Sequence, residues 1–455
     1  MKERLGQLSG LLLERKNALR SGIGIIAATG ITTVSGFLLS VLLARGLGAE
    51  QFGLYSLMIG IVGLLLIPVQ SGLPLVITRE LAKLRVDGGA QGLRAFLRWA
   101  AKILLVCLVL VCGAYAIWAF GFASSRGSGG SSVNNQQFLV PIILLLSLWA
   151  VTNFAAAVIN GFERPFTSRL PDAVIRPLGL LAFAALALAW TEGAQAHDIV
   201  LAHAAAAALS ATFAIFWAGR LVHRFKGQAE EKQGENINQR AWLMSVLTFS
   251  LVSGVAVLNN RIDLIMVGSF STLAQVAFYN VAMQLTALVT ISQIGVNAIL
   301  APKAARMFKT GDQDALGRLV SLTCLVTGAI GLATFAVLAV FGRDVLELAF
   351  GQEFSASYLP MATMAAAAMI AVASGPVALL LNMAGHERIT LVATAIMLAA
   401  KIGLNLILIP RFGAQGAAYS TAIVLVSLNL SLTVMLRRKT GIRSGILLLL
   451  PMART

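Results

Sequence analysis

The stretch FLVPIILLLSLWAVTNFAAAVIN, residues 138–160, decides the class of this protein. None of its side chains is charged, and its length matches the roughly 20 residues that a helix needs to cross the hydrocarbon core of a bilayer. We therefore predict a transmembrane helix over 138–160.

The same pattern recurs on both sides of that stretch, along the whole 455-residue chain. The further apolar runs are 21–44, 52–77, 96–122, 174–190, 199–221, 243–268, 274–300, 319–341, 359–384, 389–409 and 413–436. The composition agrees, since 58% of residues are hydrophobic and 12% are charged, against about 25% charged in soluble proteins. The polar gaps are too short for a soluble domain of about 100 residues. We predict an all-α integral membrane protein of about twelve transmembrane helices.

The net charge of +16 lies in short loops between the apolar runs. Nucleic-acid binding needs basic residues gathered on a folded polar surface, so we exclude that class of partner. About 29 of the 35 basic residues fall on one side of the membrane if there are twelve spans, as cytoplasmic loops require. We expect both termini on the cytoplasmic side, with anionic lipid headgroups as counter-charge.

The chain divides into two similar halves. We expect a cytoplasmic tail at 1–20, a six-helix half at 21–222, a linker at 223–241, a second six-helix half at 242–436 and a basic cytoplasmic tail at 437–455. An internal repeat supports this division, with Gln51 matching Gln275, Tyr55 matching Tyr279 and Arg79 matching Lys303. Parallel six-helix repeats predict a substrate path between the halves.

Three charged residues are clear cases of a charge inside a predicted span, where insertion costs about 2.5–3.5 kcal/mol. They are Arg261, Asp263 and Lys401. Asn259 and Asp263 share a helix face that offers oxygens to a cation, and Asn405 shares a face with Lys401. Two interpretations stay open: these residues serve a transport pathway and ion coupling, or Arg261 snorkels to the outer interface while Asp263 pairs with Lys401 as interior glue.

The sequence offers little support for nucleotide binding, metal binding or catalysis. The phosphate-binding loop GxxxxGK followed by Ser or Thr is missing from the sequence, and the four histidines lack metal-ligand spacing. We expect no cofactor, no metal and no enzymatic activity, and an energy source in an ion gradient, the membrane potential or the substrate gradient. Amides within the spans predict interhelical hydrogen bonds; they are Asn153, Asn160, Gln284, Gln293 and Asn297.

Four pieces of the chain resemble the Wzx-type oligosaccharide flippases, the polysaccharide branch of the multidrug/oligosaccharidyl-lipid/polysaccharide exporter superfamily. They are LARGLGAEQFGLY at 43–55, GL at 72–73 with RELA at 79–82, RIDLIMVG at 261–268 followed by Tyr279, and NLILIPRFGAQGAA at 405–418. The likeness spans nearly the whole chain, and the four pieces occur in the family's order.

The resemblance implies two pseudo-symmetric six-helix bundles that form a V around a central cavity in the bacterial inner membrane. It also implies alternating access and a polyprenyl-pyrophosphate-linked oligosaccharide as substrate, for O-antigen, capsule or exopolysaccharide synthesis. Polysaccharide polymerase and chain-length machinery are candidate partners. We expect Arg261, Lys401 and Asn405 in the cavity, and Arg79 and Lys303 at its cytoplasmic mouth. Asp263, with Asn259, is the candidate site for a coupling proton or sodium ion.

Three alternatives stay open. A multidrug exporter of the same superfamily would favour an acidic cavity for cationic drugs, whereas the charge excess in these spans is basic. A lipid II flippase shares the superfamily. A membrane glycosyltransferase or polymerase would need organised carboxylates, while the acids of the outer loops are scattered.

Overall fold

The computed structural model describes residues 2–70, 72–86, 89–121, 137–191, 193–228, 239–442 and 444–445. Nearly all of these residues are helical, and no strand occurs among them. Residues 124–136 of the predicted outer connection, 229–238 of the linker, and most of the C-terminal tail beyond 442 lie outside the described residues. The predicted N-terminal tail is helical from Lys2 and continues directly into the first span.

Eleven segments of the described chain are long and apolar enough to cross a membrane. The first, Gly30–Leu65, contains a kink at Gly48 with a φ of 74°, a backbone conformation that glycine adopts without steric cost. This segment therefore holds most of the first predicted span and the first part of the second. The prediction of an all-α membrane protein of about twelve spans is confirmed.

Residue contacts divide the chain into two compact units. The first comprises Met1–Leu42 and Ile61–Val257, and the second comprises Leu43–Gly60 and Leu258–Thr455. The division falls inside two long helices, α1 (Lys2–Leu65) and α9 (Gln239–Phe270). The predicted six-helix halves, counted along the sequence, stay a prediction.

The described residues of the first unit form seven helices, besides its parts of α1 and α9. They are α2 (Ile67–Gln70), α3 (Leu73–Val86), α4 (Gly89–Gly121), α5 (Leu139–Gly161), α6 (Pro165–Leu170), α7 (Arg176–Trp190) and α8 (Ala196–Gln228). Helix α8 packs against α5 and α7 along buried alanines, and a Cβ on Gly179 of α7 would lie only 3.5 Å from the Ala206 Cβ. Small residues let membrane helices approach closely, which explains this packing.

The second unit contains the remaining helices together with its parts of α1 and α9. They are α10 (Leu273–Thr310), α11 (Gln313–Phe350), a 3-10 turn (Gln352–Ser357), α12 (Tyr358–Ser374), α13 (Val377–Met383), α14 (Glu387–Phe412) and α15 (Ala414–Thr440). A cluster of buried leucines, including Leu300, Leu316, Leu380 and Leu436, joins α10, α11, α13 and α15. This apolar contact organises one end of the unit.

Prolines interrupt two predicted spans. The second span, expected at 52–77, is divided among α1, α2 and α3, and the tenth, expected at 359–384, breaks at Gly375 and Pro376. Proline lacks the N–H that a helix interior needs, and Gly375 adopts a φ of 80° at the break.

The fifth span begins well before the expected position of 174. It runs from Pro165 to Trp190 through α6, a π-helical turn (Pro171–Ile175) and α7. Proline is tolerated in a first helical turn, which permits the start at Pro165. The prediction was wrong because the prolines and charges of this stretch are also typical of a loop.

Candidate functional site

The buried charges of the second unit meet at one place. Helix α9 carries Asp263 and α14 carries Lys401, and the Lys401 Nζ lies 2.6 Å from the Asp263 Oδ2. The same Nζ donates to the backbone carbonyl of Asn259 at 2.9 Å. Both charged side chains are sealed from solvent, with exposed fractions of 5% and 4%. The two residues therefore form a buried ion pair between α9 and α14.

Neighbouring helices complete the hydrogen bonding of the Asp263 carboxylate. Its Oδ1 accepts from the Asn405 Nδ2 at 2.8 Å. Its Oδ2 accepts from the Tyr279 hydroxyl at 2.8 Å and from the Thr421 hydroxyl at 3.1 Å. Lys401 and Asn405 stand four residues apart on α14, so one helix face supplies both. We call Asp263, Lys401, Asn405, Tyr279 and Thr421 the Asp263 cluster; it joins α9, α10, α14 and α15.

The Asp263 cluster is neutral as a whole. Burying two charges is favourable only when their geometry is good and further hydrogen bonds satisfy them, and both conditions hold here. One polar atom of the cluster is an exception, since the Asn405 Oδ1 is buried and has no hydrogen-bond partner among the described residues. Because Asp263 neutralises Lys401, the Lys401 ammonium exerts little net electrostatic attraction on an approaching anionic ligand.

Arg261 is placed differently from the pair beside it. Residues two apart on a helix point about 200° from each other, so Arg261 and Asp263 leave α9 on different sides. The Arg261 side chain is partly buried, and among the described residues it has no acidic or hydrogen-bonding partner. Arg261 therefore supplies an uncompensated positive charge inside a candidate span, Gln239–Phe270.

The two basic residues predicted near the cytoplasmic end have different surroundings. In the first unit, the Arg79 Nε lies 2.8 Å from the Glu80 Oε1, and its Nη2 donates to the Ser245 hydroxyl at 3.0 Å. In the second unit, Lys303 follows Pro302 on α10 and is exposed. Arg79 therefore already has partners in Glu80 and Ser245, whereas the ammonium group of Lys303 is exposed.

The first unit holds a charged pair that the sequence did not predict. The Arg176 Nη1 lies 3.1 Å from the Asp172 Oδ1, and the Arg176 guanidinium stands 4.1 Å above the centre of the Trp149 ring. His203, which lies near Trp149 with a ring separation of 6.0 Å, is buried. The missed signal is Pro165: starting the span there places Arg176 well inside it.

Comparisons with known proteins agree with this architecture. Residues 18–308 match the model of a family described as polysaccharide biosynthesis protein. The chain is 24% identical over 405 residues to the probable low-salt glycan biosynthesis flippase Agl15 of Haloferax volcanii, covering 89% of this chain and 80% of that protein.

Solved structures show the same fold at low sequence identity. An inward-facing multidrug resistance MATE family transporter of the MOP superfamily superposes with a TM-score of 0.71 at 14% identity, over 92% of this chain and 98% of that chain. The lipid II flippase MurJ, in an inward closed conformation, gives 0.70 at 11% identity, over 90% and 87%. Because the family match spans well over half of its length, this chain belongs to the polysaccharide biosynthesis protein family and has the fold of MOP superfamily transporters.

Proposed function

We propose that this protein is a flippase for lipid-linked oligosaccharide. It turns a short oligosaccharide on polyprenyl pyrophosphate from the cytoplasmic to the periplasmic leaflet of a bacterial inner membrane, by alternating access, for synthesis of a cell-surface polysaccharide. The family match and the Haloferax relative, whose description names a glycan biosynthesis flippase, support this class of cargo. Both termini are cytoplasmic in this proposal.

The observation that carries the proposal is the uncompensated charge of Arg261. A guanidinium without a counter-charge in a span is costly, and an anionic ligand removes that cost. Pyrophosphate suits the planar fork of arginine, which binds two oxygens at once. Arg261 is therefore the residue that we assign to the pyrophosphate, while the prenyl tail stays in lipid.

The Asp263 cluster has a second role in this proposal. Lys401 and Asn405 hold the Asp263 carboxylate, and Asn259 contributes its backbone carbonyl to the Lys401 ammonium. A coupling proton or sodium ion that reached Asp263 would compete with Lys401 and loosen the link between α9 and α14. Asp263 is thus the candidate residue for binding the coupling ion, and Lys401 competes with that ion for the Asp263 carboxylate.

A multidrug exporter is the main rival, because fold alone does not decide function. Cationic drugs would be repelled by Arg261, and the acid beside it is already neutralised by Lys401. Residues 21–44 of the first span contain no acidic side chain that could attract such a drug.

The decisive experiment measures which leaflet holds the lipid-linked oligosaccharide after depletion of the protein in its host. Cells are complemented with wild type, Arg261→Ala or Arg261→Lys at equal membrane abundance. We expect wild type to restore periplasmic delivery, Arg261→Ala to leave the substrate on the cytoplasmic side, and Arg261→Lys to be intermediate. Arg343→Ala is the matched control, since Arg343 is exposed and paired with Glu347 at 3.2 Å.

An unchanged leaflet distribution on depletion, together with greater sensitivity to cationic drugs, would refute the flippase and favour the exporter. Wild-type delivery by Arg261→Ala would refute the assignment of Arg261 to the pyrophosphate.

A further inference from the structure

The first unit holds a second charged cluster that the proposed pyrophosphate site does not use. Asp172 lies in the π-helical turn and Arg176 is the first residue of α7, with Trp149 of α5 packed against the Arg176 guanidinium. Arg176 follows Pro165, the start of this span, by a helix length of about 16 Å. The cluster therefore lies well inside a span and not at its end.

Neighbouring helices hold the π-helical turn in place. Proline at position 177 cannot donate to the Ala173 carbonyl. The Thr32 hydroxyl of α1 reaches that carbonyl at 2.8 Å and shares its one proton with the Ala28 carbonyl of its own helix at 2.9 Å. The Ser210 hydroxyl of α8 donates to the Pro171 carbonyl, also at 2.8 Å. Asp172 and Arg176 are thus mounted on a segment fixed from two sides, which suits a binding site.

The side chains of this pair are partly exposed, in contrast to the pair in the second unit, although the two facing atoms, the Arg176 Nη1 and the Asp172 Oδ1, are buried. The Arg176 and Asp172 side chains are 15% and 28% exposed, whereas those of Lys401 and Asp263 are 5% and 4% exposed. An ion pair whose only role is to link helices does not need to be exposed to a ligand. Exposure inside a span is consistent with contact to a ligand.

The charges of Asp172 and Arg176 indicate which class of ligand can bind here. Asp172 repels anions and Arg176 repels cations. Together they offer a carboxylate that accepts hydrogen bonds and a guanidinium that donates several. Sugar hydroxyls, which both donate and accept, match such a pair. The amides of Asn153 and Gln70 extend the polar surface, because Asn153 lies one turn beyond Trp149 on α5 and donates to the Gln70 Oε1.

We propose that Asp172, Arg176 and Trp149 form a binding site for neutral sugar residues. Asp172 accepts from sugar hydroxyls, Arg176 donates to them, and Trp149 keeps the guanidinium oriented. That the sugar is the oligosaccharide part of a lipid-linked substrate rests on the proposed function. Sugar binding itself can be tested without transport.

The test uses the full-length protein in lipid nanodiscs, titrated with neutral methyl glycosides of glucose, galactose, mannose and N-acetylglucosamine. Tryptophan fluorescence reports binding, and Trp149→Phe identifies the part of the signal that comes from Trp149. Glucuronate and inorganic pyrophosphate are titrated in parallel as anionic probes. Asp172→Asn tests the acceptor, and Glu347→Gln on α11, which breaks an exposed pair with the same four-residue spacing, is the matched control.

We expect at least one neutral glycoside to change the Trp149 signal saturably. Asp172→Asn should weaken that binding by about tenfold or more, as loss of a charged hydrogen bond predicts, while Glu347→Gln should bind as wild type does. If Asp172→Asn reduces the yield of folded protein, Arg176→Lys tests the same site, because lysine keeps the charge and loses the paired donors.

Three results would overturn this site: no Trp149-dependent signal with any neutral glycoside, equal affinity in the variants, or displacement of the glycoside by pyrophosphate. Failure of the proposed function is distinguishable. Wild type that binds glycosides and does not flip lipid-linked oligosaccharide would refute the flippase and keep the sugar site, whereas flipping without glycoside binding would refute the sugar site alone.

Discussion

The Lys401 Nζ and the Asp263 Oδ2 lie 2.6 Å apart in the interior of the second unit, and three further side chains donate to the same carboxylate. The ion pair joins residues that stand 138 positions apart in the sequence. A buried pair of this kind is strongly destabilising when only one partner is removed.

Breaking the pair from either side should destabilise the protein. We expect Lys401→Met and Asp263→Asn each to cost about 3 kcal/mol, because each leaves a buried charge or its donors unpaired. The double variant should cost less than the sum of the two single changes, since it removes both charges together. Thermal unfolding of the three purified variants measures this coupling, and strictly additive losses would show that the two charges do not interact.

The sequence predicted the spans well and the contacts between them less well. Hydropathy finds spans because a bilayer forces each helix to be apolar over its full length. It placed Asp263, Lys401 and Asn405 inside spans, yet it left open whether Asp263 and Lys401 pair. Nothing in a single sequence tells which helices are neighbours, so the repeat and the family resemblance single out Tyr279 without predicting its contact with Asp263.

The pair of Asp172 and Arg176 in the first unit was not predicted, for a different reason. Proline and charge normally mark the end of a helix, and the sequence 171–177 contains two prolines, an aspartate and an arginine. Contacts from other helices support the span through this stretch. The Thr32 hydroxyl reaches the Ala173 carbonyl, to which Pro177 cannot donate, and the Ser210 hydroxyl donates to the Pro171 carbonyl. Such compensation depends on tertiary contacts and has no local signature.

The Thr32 hydroxyl should stabilise the protein more when proline occupies position 177. We expect Thr32→Val to cost about 1 kcal/mol, the scale of an interhelical hydrogen bond in a membrane. In a Pro177→Ala background the Ala173 carbonyl regains a backbone donor, so the same change should cost less. Thermal unfolding of the four proteins in this cycle gives the result.

Thr334→Val is the control for the Thr32 cycle, because the exposed Thr334 hydroxyl bonds only to the Ile330 carbonyl of its own helix at 3.0 Å. An equal cost of Thr32→Val in both backgrounds would contradict the compensation.

Gly53 should tolerate no side chain. A Cβ at this position would lie 1.8 Å from the Leu273 carbonyl oxygen at the start of α10, so the two backbones would have to separate. We expect Gly53→Ala to lower stability by about 1–3 kcal/mol through overpacking. The measurement is the fraction of folded protein after a temperature ramp, detected by size-exclusion chromatography.

Gly36→Ala is the matched control for Gly53→Ala. It lies in the same helix, and a Cβ there would meet no atom within 4 Å. Alanine is favoured over glycine in a helix, so this variant should unfold at the same temperature or slightly above it. Equal behaviour of the two variants would mean that the close approach at Gly53 relaxes at little cost.

Lys303 and Arg79 should affect flipping in different ways, although the sequence repeat makes them equivalent. Arg79 is bound to Glu80 and Ser245, whereas exposed Lys303 has no partner among the described residues. A basic residue near a membrane surface attracts anionic groups by about 1 kcal/mol, so Lys303→Gln should raise the substrate concentration needed for half-maximal flipping by roughly fivefold at low salt. Screening should shrink this difference at high salt, because the Debye length falls from about 30 Å at 0.01 M to about 8 Å at 0.15 M.

Initial flipping rates in proteoliposomes at these two ionic strengths test the assignment of Lys303 to headgroup capture. Arg343→Gln, which removes one charge from the loops predicted to face the other side, is the control and should flip as wild type does. Arg79→Gln should instead lower the unfolding temperature, since it releases Glu80 and Ser245 from their contacts. A Lys303→Gln defect of equal size at both salt concentrations would show that Lys303 acts by a specific contact and not by long-range attraction.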